Sequence, residues 1–507
     1  MDRDPQSPLR PSDMQTWLRA FGATFAALTV LAAASCGGGS TSSPAPVNPV
    51  SPINPGPSGS AFKGSVILGS PSATRVVANV YSADQSGMVY LAWGPEASVS
   101  NGQWPSQSAP VSLQADQPLE ILIDGLDADS AYTYRLFFKA SGADAYVNSD
   151  NATFHTARAS GSTFSFTVQG DSHPEREKTM FDATLYTRTL NTAAADRPDF
   201  HICMGDDFSV DTLNASTLTA SQVRGRYTLQ RPWLGLIGRQ SPVYLVNGNH
   251  EQAAGYLLNG TPNNVAVWAQ TARNSLYTQP APDSFYSGNV TPIAYVNLLR
   301  NYYAWTWGDA LFVVIDPYWP SSVPVDEPLG GGAKHANAWD FTHGDAQYRW
   351  LKQTLEQSKA KYKFVFAHHV MGTGRGGVEV ASLWEWGGKD ASGKDLFSAQ
   401  RPSWDSSIHA LMVKTGVTIF FQGHDHVWAR QSLNGVTYQT LSVPADPNYG
   451  PGFASAYLSG DVLPSSGYTR VTVSPQRVQV DYVRTYLPAD ETSSRRSGSV
   501  AFTYQLP

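Results

Sequence analysis

Cysteine is nearly absent, with two in 507 residues, Cys36 and Cys203. So few thiols exclude a disulfide-stapled scaffold and a thiolate-built structural zinc site. Charge is scarce too: 15% of residues are Asp, Glu, Lys or Arg, and 35 basic against 41 acidic side chains leave a net charge of -6. No basic run tracks along the chain, which argues against a nucleic-acid-binding surface. Any phosphate chemistry must therefore use local charge. The N-terminal apolar run "AFGATFAALTVLAAASC", after Arg19, is too short for a comfortable membrane span, but it has the length and small-residue ending of a signal peptide.

Aromatic side chains are abundant instead, at 12% with 24 Tyr and 14 Trp, which suits an exported β-rich protein. The length leaves room for at least two domains. "AASC" followed by "GGGS" resembles a bacterial lipoprotein box. That resemblance implies cleavage before Cys36, acylation of Cys36 and an exported lipoprotein anchored to a membrane; an ordinary secretory signal is the alternative. Residues 37–59, rich in Pro, Gly and Ser, cannot bury enough apolar surface to fold and read as a tether. With Cys36 acylated, Cys203 has no disulfide partner and reads as a small buried strand residue.

From 60 to 158, short runs such as "TRVVANVYS", "GMVYLAWG" and "AYTYRLFFKA" are broken by turn residues, the spacing of a β-sandwich. "LDADSAYTYRLFF" resembles the end of a fibronectin type III-like domain. After residue 160 the texture changes. "TFSFTVQGD", "FHICMGDD", "PVYLVNGNH", "ALFVVIDPYW", "KYKFVFAHHV" and "GVTIFFQGHDH" are continuous apolar runs, each ending in Asp, Asn or His. Runs of that kind suit strands buried on both faces, and "GDAQYRWLKQTLEQSKAKY" between two of them is a helix candidate. Their polar ends point to one site at a sheet edge. The aperiodic segment 251–300 reads either as a lid over that site or as packing. "GYTRVTVSPQRVQVDYVRTY" reads as a closing hairpin and "SVAFTYQLP", within 491–507, as one more strand.

The strand ends offer Asp171, His173, Asp206, Asn249, His250, His368, His424 and His426. This oxygen and imidazole set suits a pair of borderline or hard divalent ions, and a shared carboxylate would let two cations clamp both oxygens of a phosphoryl displacement. In the order Asp171-Ser-His173, Gly205-Asp206, Gly248-Asn249-His250-Glu251, His368-His369 and Gly423-His424-Asp425-His426, these residues resemble the five motifs of the calcineurin-like metallophosphoesterases. With a sandwich in front, the likeness is to the bacterial, purple acid phosphatase-like branch. It implies an α/β body over 160–490, a β-sandwich flanked by helices in four αββα layers. It also implies a first ion on Asp171, His173 and His426, a second on Asn249, His368 and His424, Asp206 bridging them, and His250 facing a phosphate ester. The ions implied are two divalent or mixed-valence metals (Fe, Mn or Zn), with a metal-bound hydroxide as nucleophile on a phosphate monoester; a phosphodiesterase or nucleotide hydrolase, or a surface binding protein with an inactive body, are the alternatives.

Two departures matter. The purple enzymes carry a tyrosine three residues after the bridging aspartate, where this chain has Ser209, and they usually lack a histidine at position 173. A colourless or weakly coloured protein is expected. The resemblance also implies an aspartate that orients His250, a role that would fall here to Asp207 or Asp211. His369 reads as a substrate contact, a support for the ligands or packing, and Arg375 in "MGTGRGG" as a phosphate ligand or a solvated loop arginine. Trp384 and Trp386 read as pocket walls or packing anchors, and His155, His201, His335, His343 and His409 as structural.

Overall fold

The computed structural model describes residues 62–371 and 374–507. Cys36 and the tether at 37–59 lie outside the described residues. No helix among the described residues is long and apolar enough to cross a membrane.

The first part is built from two antiparallel sheets. Strands Ser65–Gly69, Val76–Tyr81 and Leu119–Ile123 form one, and a second is organised around Gly87–Pro95 and Ala131–Ala140. Leu68, Val76 and Val80 of the first sheet meet Val89, Leu91 and Phe138 of the second in one apolar core. The two sheets thus pack as a sandwich. Arg231 fastens the sandwich to the rest of the molecule: it is buried, and its guanidinium donates to Oδ1 and the carbonyl of Asn79 at 3.1 and 3.0 Å.

The larger part stacks two more sheets. In the six-stranded sheet, Phe164–Gln169, His201–Cys203 and Val243–Leu245 run parallel, continued on the other side by the hairpin Gly467–Val473 and Val478–Arg484 and by the edge strand Ser499–Leu506. In the eight-stranded sheet, Ala310–Val314, Tyr362–Phe366 and Ile419–Gln422 are parallel neighbours. Phe166 and Phe200 of one sheet pack on Phe312, Phe364 and Phe421 of the other. Helices Ala183–Ala195 and Arg231–Gly238 carry Tyr186, Leu190 and Trp233 into an outer core on one side, and Gly344–Gln357 and Ile408–Thr415 carry Leu351, Leu355 and Leu411 into one on the other. These strands are buried on both faces, so their sequences are continuously apolar rather than alternating. The polar strand ends lie at the adjoining edges of two stacked sheets, where the sequence pointed to a single open sheet edge.

The segment 251–300 is not a lid. It contains the helix Val265–Leu276, capped by Asn264, whose buried face joins the core with Tyr227, Leu245 and Tyr277. The stretch that reaches the polar strand ends is instead the long connection after Ala310–Val314.

Candidate metal centre

Three parallel strands of one sheet and two of the other deliver their carboxyl ends to one place. Asp171 and His173 follow Gln169, Asp206 follows Cys203, Asn249 and His250 follow Leu245, His368 follows Phe366, and His424 and His426 follow Gln422. Turning sharply there requires unusual backbone: His173, Asp206, His424 and His426 adopt φ of 45°, 58°, 67° and 54°. Left-handed non-glycine residues cost about 1–3 kcal/mol each and gather at functional sites. Gly423 leaves the space they need, since a Cβ there would lie 2.4 Å from Asp171 Oδ1.

The donor atoms form overlapping clusters: Asp171, His173 and His426; His173, Asp206 and His250; and Asp206, His368 and His424. His426 Nε2 lies 3.0 Å from Asp171 Oδ2 and 3.3 Å from His173 Nε2, while His368 Nε2 lies 2.9 Å from Asp206 Oδ2. The other oxygen of each aspartate is tied to backbone: Asp171 Oδ1 accepts from His424 N at 2.8 Å and Asp206 Oδ1 from His250 N at 2.9 Å. One oxygen orients the carboxylate, which leaves the second turned inward. Both amide atoms of Asn249 and Nδ1 of His424 are buried without a hydrogen-bond partner. Orphaned buried donors and acceptors are costly unless something outside the chain completes them, and a cation beside these ligands would do so.

Electrostatics carry the same imprint. Burial pushes Asp206 toward the neutral acid, but His250 and His368 outweigh it and hold the carboxyl well below its usual range. Burial would likewise lower His368, yet Asp206 and Asp171 raise it to about 10. Burial lowers His173 and His424, leaving neutral imidazoles able to ligate a metal.

Carboxylates stand behind the imidazoles. Glu175 Oε1 and Ser209 Oγ each lie 3.2 Å from His173 Nδ1, so the position a purple enzyme gives to tyrosine is here a hydroxyl beside a histidine. Asp326 Oδ2, from the connection after Ala310–Val314, lies 3.1 Å from His424 Nε2, with Nδ1 on the other side of the ring. His368 Nδ1 lies 2.7 Å from the Met204 carbonyl. Contacts of this kind fix the tautomer and ring orientation of metal-binding histidines. Glu251 holds the loops together: its carboxylate accepts from Asp207 N and Gly248 N, both at 2.8 Å, and burial, with Asp206 adding, pushes it up to about 7.

His250 is oriented by Asp211, whose Oδ2 lies 2.8 Å from Nδ1, and not by Asp207. The Asp207 carboxylate turns away and accepts from Ser172 Oγ at 2.6 Å and Gln169 Nε2 at 3.1 Å. The backbone decides this, because Val210 N donates to the His250 carbonyl at 2.9 Å and brings Asp211 beside the ring. Arg375 is also corrected. It spans the His424 carbonyl and Asp425 and lies 4.0 Å over the Phe453 ring, bracing the last motif instead of facing the clusters. His369 is buried, stacks on His424 at 4.5 Å and lies 3.0 Å from the Tyr318 hydroxyl, a support rather than a substrate contact. Trp386 is buried with its indole N–H on Tyr438, and Trp384 packs on Trp339, so neither walls a pocket at the clusters. Glu175 and Asp326 were missed: the first lies two residues from a motif histidine, and no pattern marks the second.

A family model for calcineurin-like phosphoesterases matches residues 164–428, just over half of the chain. The chain belongs to the calcineurin-like phosphoesterases. As a member of that family it is a metal-dependent phosphoric ester hydrolase, and its ligand clusters lie where the family motifs fall. Among solved structures, the fold is similar to that of PhoD, with a TM-score of 0.59 and 16% identity over 87% of this chain and 90% of that one. It is also similar to the purple acid phosphatase PPD1 from yellow lupin (Lupinus luteus) seeds, at 0.52 and 12% over 87% and 73%. No curated protein matches the chain in sequence.

Proposed function

We infer that the chain is a dinuclear-metal phosphomonoesterase. The observation that carries this reading is the chain of overlapping donor clusters, in which His173 is common to the first two and Asp206 to the last two, with the Asn249 amide and the His424 ring nitrogens left without hydrogen-bond partners inside the chain. The donor set fits the group: Asp171, His173 and His426 would hold one ion, Asn249, His368 and His424 the other, and Asp206 both. Bound there, such ions lower the pKa of water and polarise a phosphoryl oxygen. The chain's own residues supply the remainder. Asp211 holds the His250 ring by Nδ1, so that Nε2 stands 3.6 Å from Asp206 Oδ2, beside the place where a leaving oxygen needs a proton. Burial disfavours the charged imidazole, but Asp206 and Asp211 raise it to about 9, a proton source at neutral pH. Asp171 and Asp206, each anchored by one oxygen, keep their inner oxygens in place.

Export and lipid anchoring at Cys36 belong to the same proposal and rest on the N-terminal sequence; loss of membrane association in Cys36→Ala tests them. For the activity, Asn249→Ala and His424→Ala are expected to abolish hydrolysis of an aryl phosphate with the fold intact by circular dichroism. An aryl monoester compared with its bis-ester on the wild-type protein decides the substrate class: preference for the monoester is expected, and preference for the bis-ester makes the chain a phosphodiesterase.

A further inference from the structure

The structure assigns a substrate-binding role to Arg176, which none of the five motifs contains. Arg176 follows the first motif in "HPER" and is placed by a tight turn, its N–H donating to the His173 carbonyl at 2.9 Å. Its guanidinium is lightly engaged: Nε lies 3.3 Å from Glu175 Oε1, Nη1 3.4 Å from the Met180 sulfur, and Nη2 3.3 Å from His250 Nε2. The side chain is 28% exposed while His250 is 10% exposed, so the fork stands at the mouth of the clusters with His250 just inside. Arg375, by contrast, is tied through Nη1 to the His424 carbonyl and to Asp425.

An oxygen seated between Arg176 Nη2 and His250 Nε2 would meet both nitrogens, with His250 Nε2 itself 3.6 Å from Asp206 Oδ2. A monoester phosphoryl group carries three unesterified oxygens and two charges, a diester two and one. The additional oxygen needs a partner away from the metal ligands, and a planar forked guanidinium suits it. Arg176 therefore binds the dianionic phosphoryl group of a monoester, and of the orthophosphate released from it, in preference to a diester. This role rests on the phosphomonoesterase reading and names what enforces it.

The test uses the Mn-loaded chain with Arg176→Ala and Arg176→Lys, metal content measured in each, orthophosphate binding followed by calorimetry, and kcat and KM taken for an aryl monoester and its bis-ester. Arg176→Ala is expected to keep its metal, to weaken orthophosphate binding and raise the monoester KM by about ten- to a hundredfold, and to change the bis-ester far less; Arg176→Lys recovers part of the loss. Unchanged orthophosphate binding overturns the assignment. So does loss of metal, or an equal fall on both esters, since either shows Arg176 acting only through Glu175 and His173. If the wild-type chain cleaves neither ester while orthophosphate binding still depends on Arg176, the enzyme reading fails and the phosphate site stands.

Discussion

The two ligand clusters differ in how they are held. In the first, Asp171, His173 and His426 touch one another at 3.0–3.8 Å, and the carboxylate behind His173 comes from the same turn, two residues on at Glu175. In the second, Asn249 has no partner for its amide, and the carboxylate behind His424 comes from Asp326, in a separate connection where Lys334 pairs with it. Both clusters join distant motifs, but the first takes its supporting carboxylate from the turn that carries its own histidine and the second takes it from a separate connection. If the proposed ions bind, the one in the second site is expected to be the more exchangeable, because its supporting carboxylate comes from a separate connection.

The sharpest way to break this comparison is to remove a ligand from one side only. His424→Ala is expected to cost the second ion and at least about a hundredfold in kcat/KM, with the first ion retained in metal analysis. If both ions leave together, the clusters are not separable. Next come the supporting carboxylates. Asp326→Asn is expected to weaken the second ion by about 10- to 100-fold and spare the first, and Glu175→Gln to do the reverse; competition against a chelating dye reads both, and identical profiles would remove the distinction.

A smaller effect is on pH. In the metal-free chain, protons stand in for cations: His368 is raised from 6.5 to about 10 and Glu251 from 4.5 to about 7. Because both folded values are raised, the stability they contribute is complete below the unfolded values and is lost as pH rises through the folded ones. Asp171 and Asp206 are depressed, so theirs is lost only as pH falls well below 3.8. Above the range in which the lowered His173 and His424 act in the opposite sense, the melting temperature of the metal-free chain is thus expected to fall between about pH 7 and pH 10, with metal affinity rising over the same range as His368 gives up its proton. A melting temperature that rises across that interval would contradict the placement of these groups.

What the sequence made legible follows the same division. The residues that meet at the candidate centre could be picked out because each follows a continuous apolar run, and burial on both faces makes such runs conspicuous. The bridging role expected of Asp206 came from the family resemblance alone, while the serine at position 209 is read directly. Asp326 could not be picked out, since it sits in an aperiodic connection and is brought to His424 only by tertiary packing. Asp207 and Asp211 were indistinguishable as letters; the hydrogen bond from Val210 N to the His250 carbonyl chose between them. The helix Val265–Leu276 was overlooked although Val265, Ala269, Ala272 and Leu276 recur at helical spacing and form its buried face.

The most direct measurement is a calorimetric titration of the metal-free chain with Mn²⁺, alongside Asn249→Ala. Two binding events per wild-type chain are expected, the weaker lost in the variant while the tighter stays. A single event that Asn249→Ala leaves intact would contradict the shared, two-ion centre.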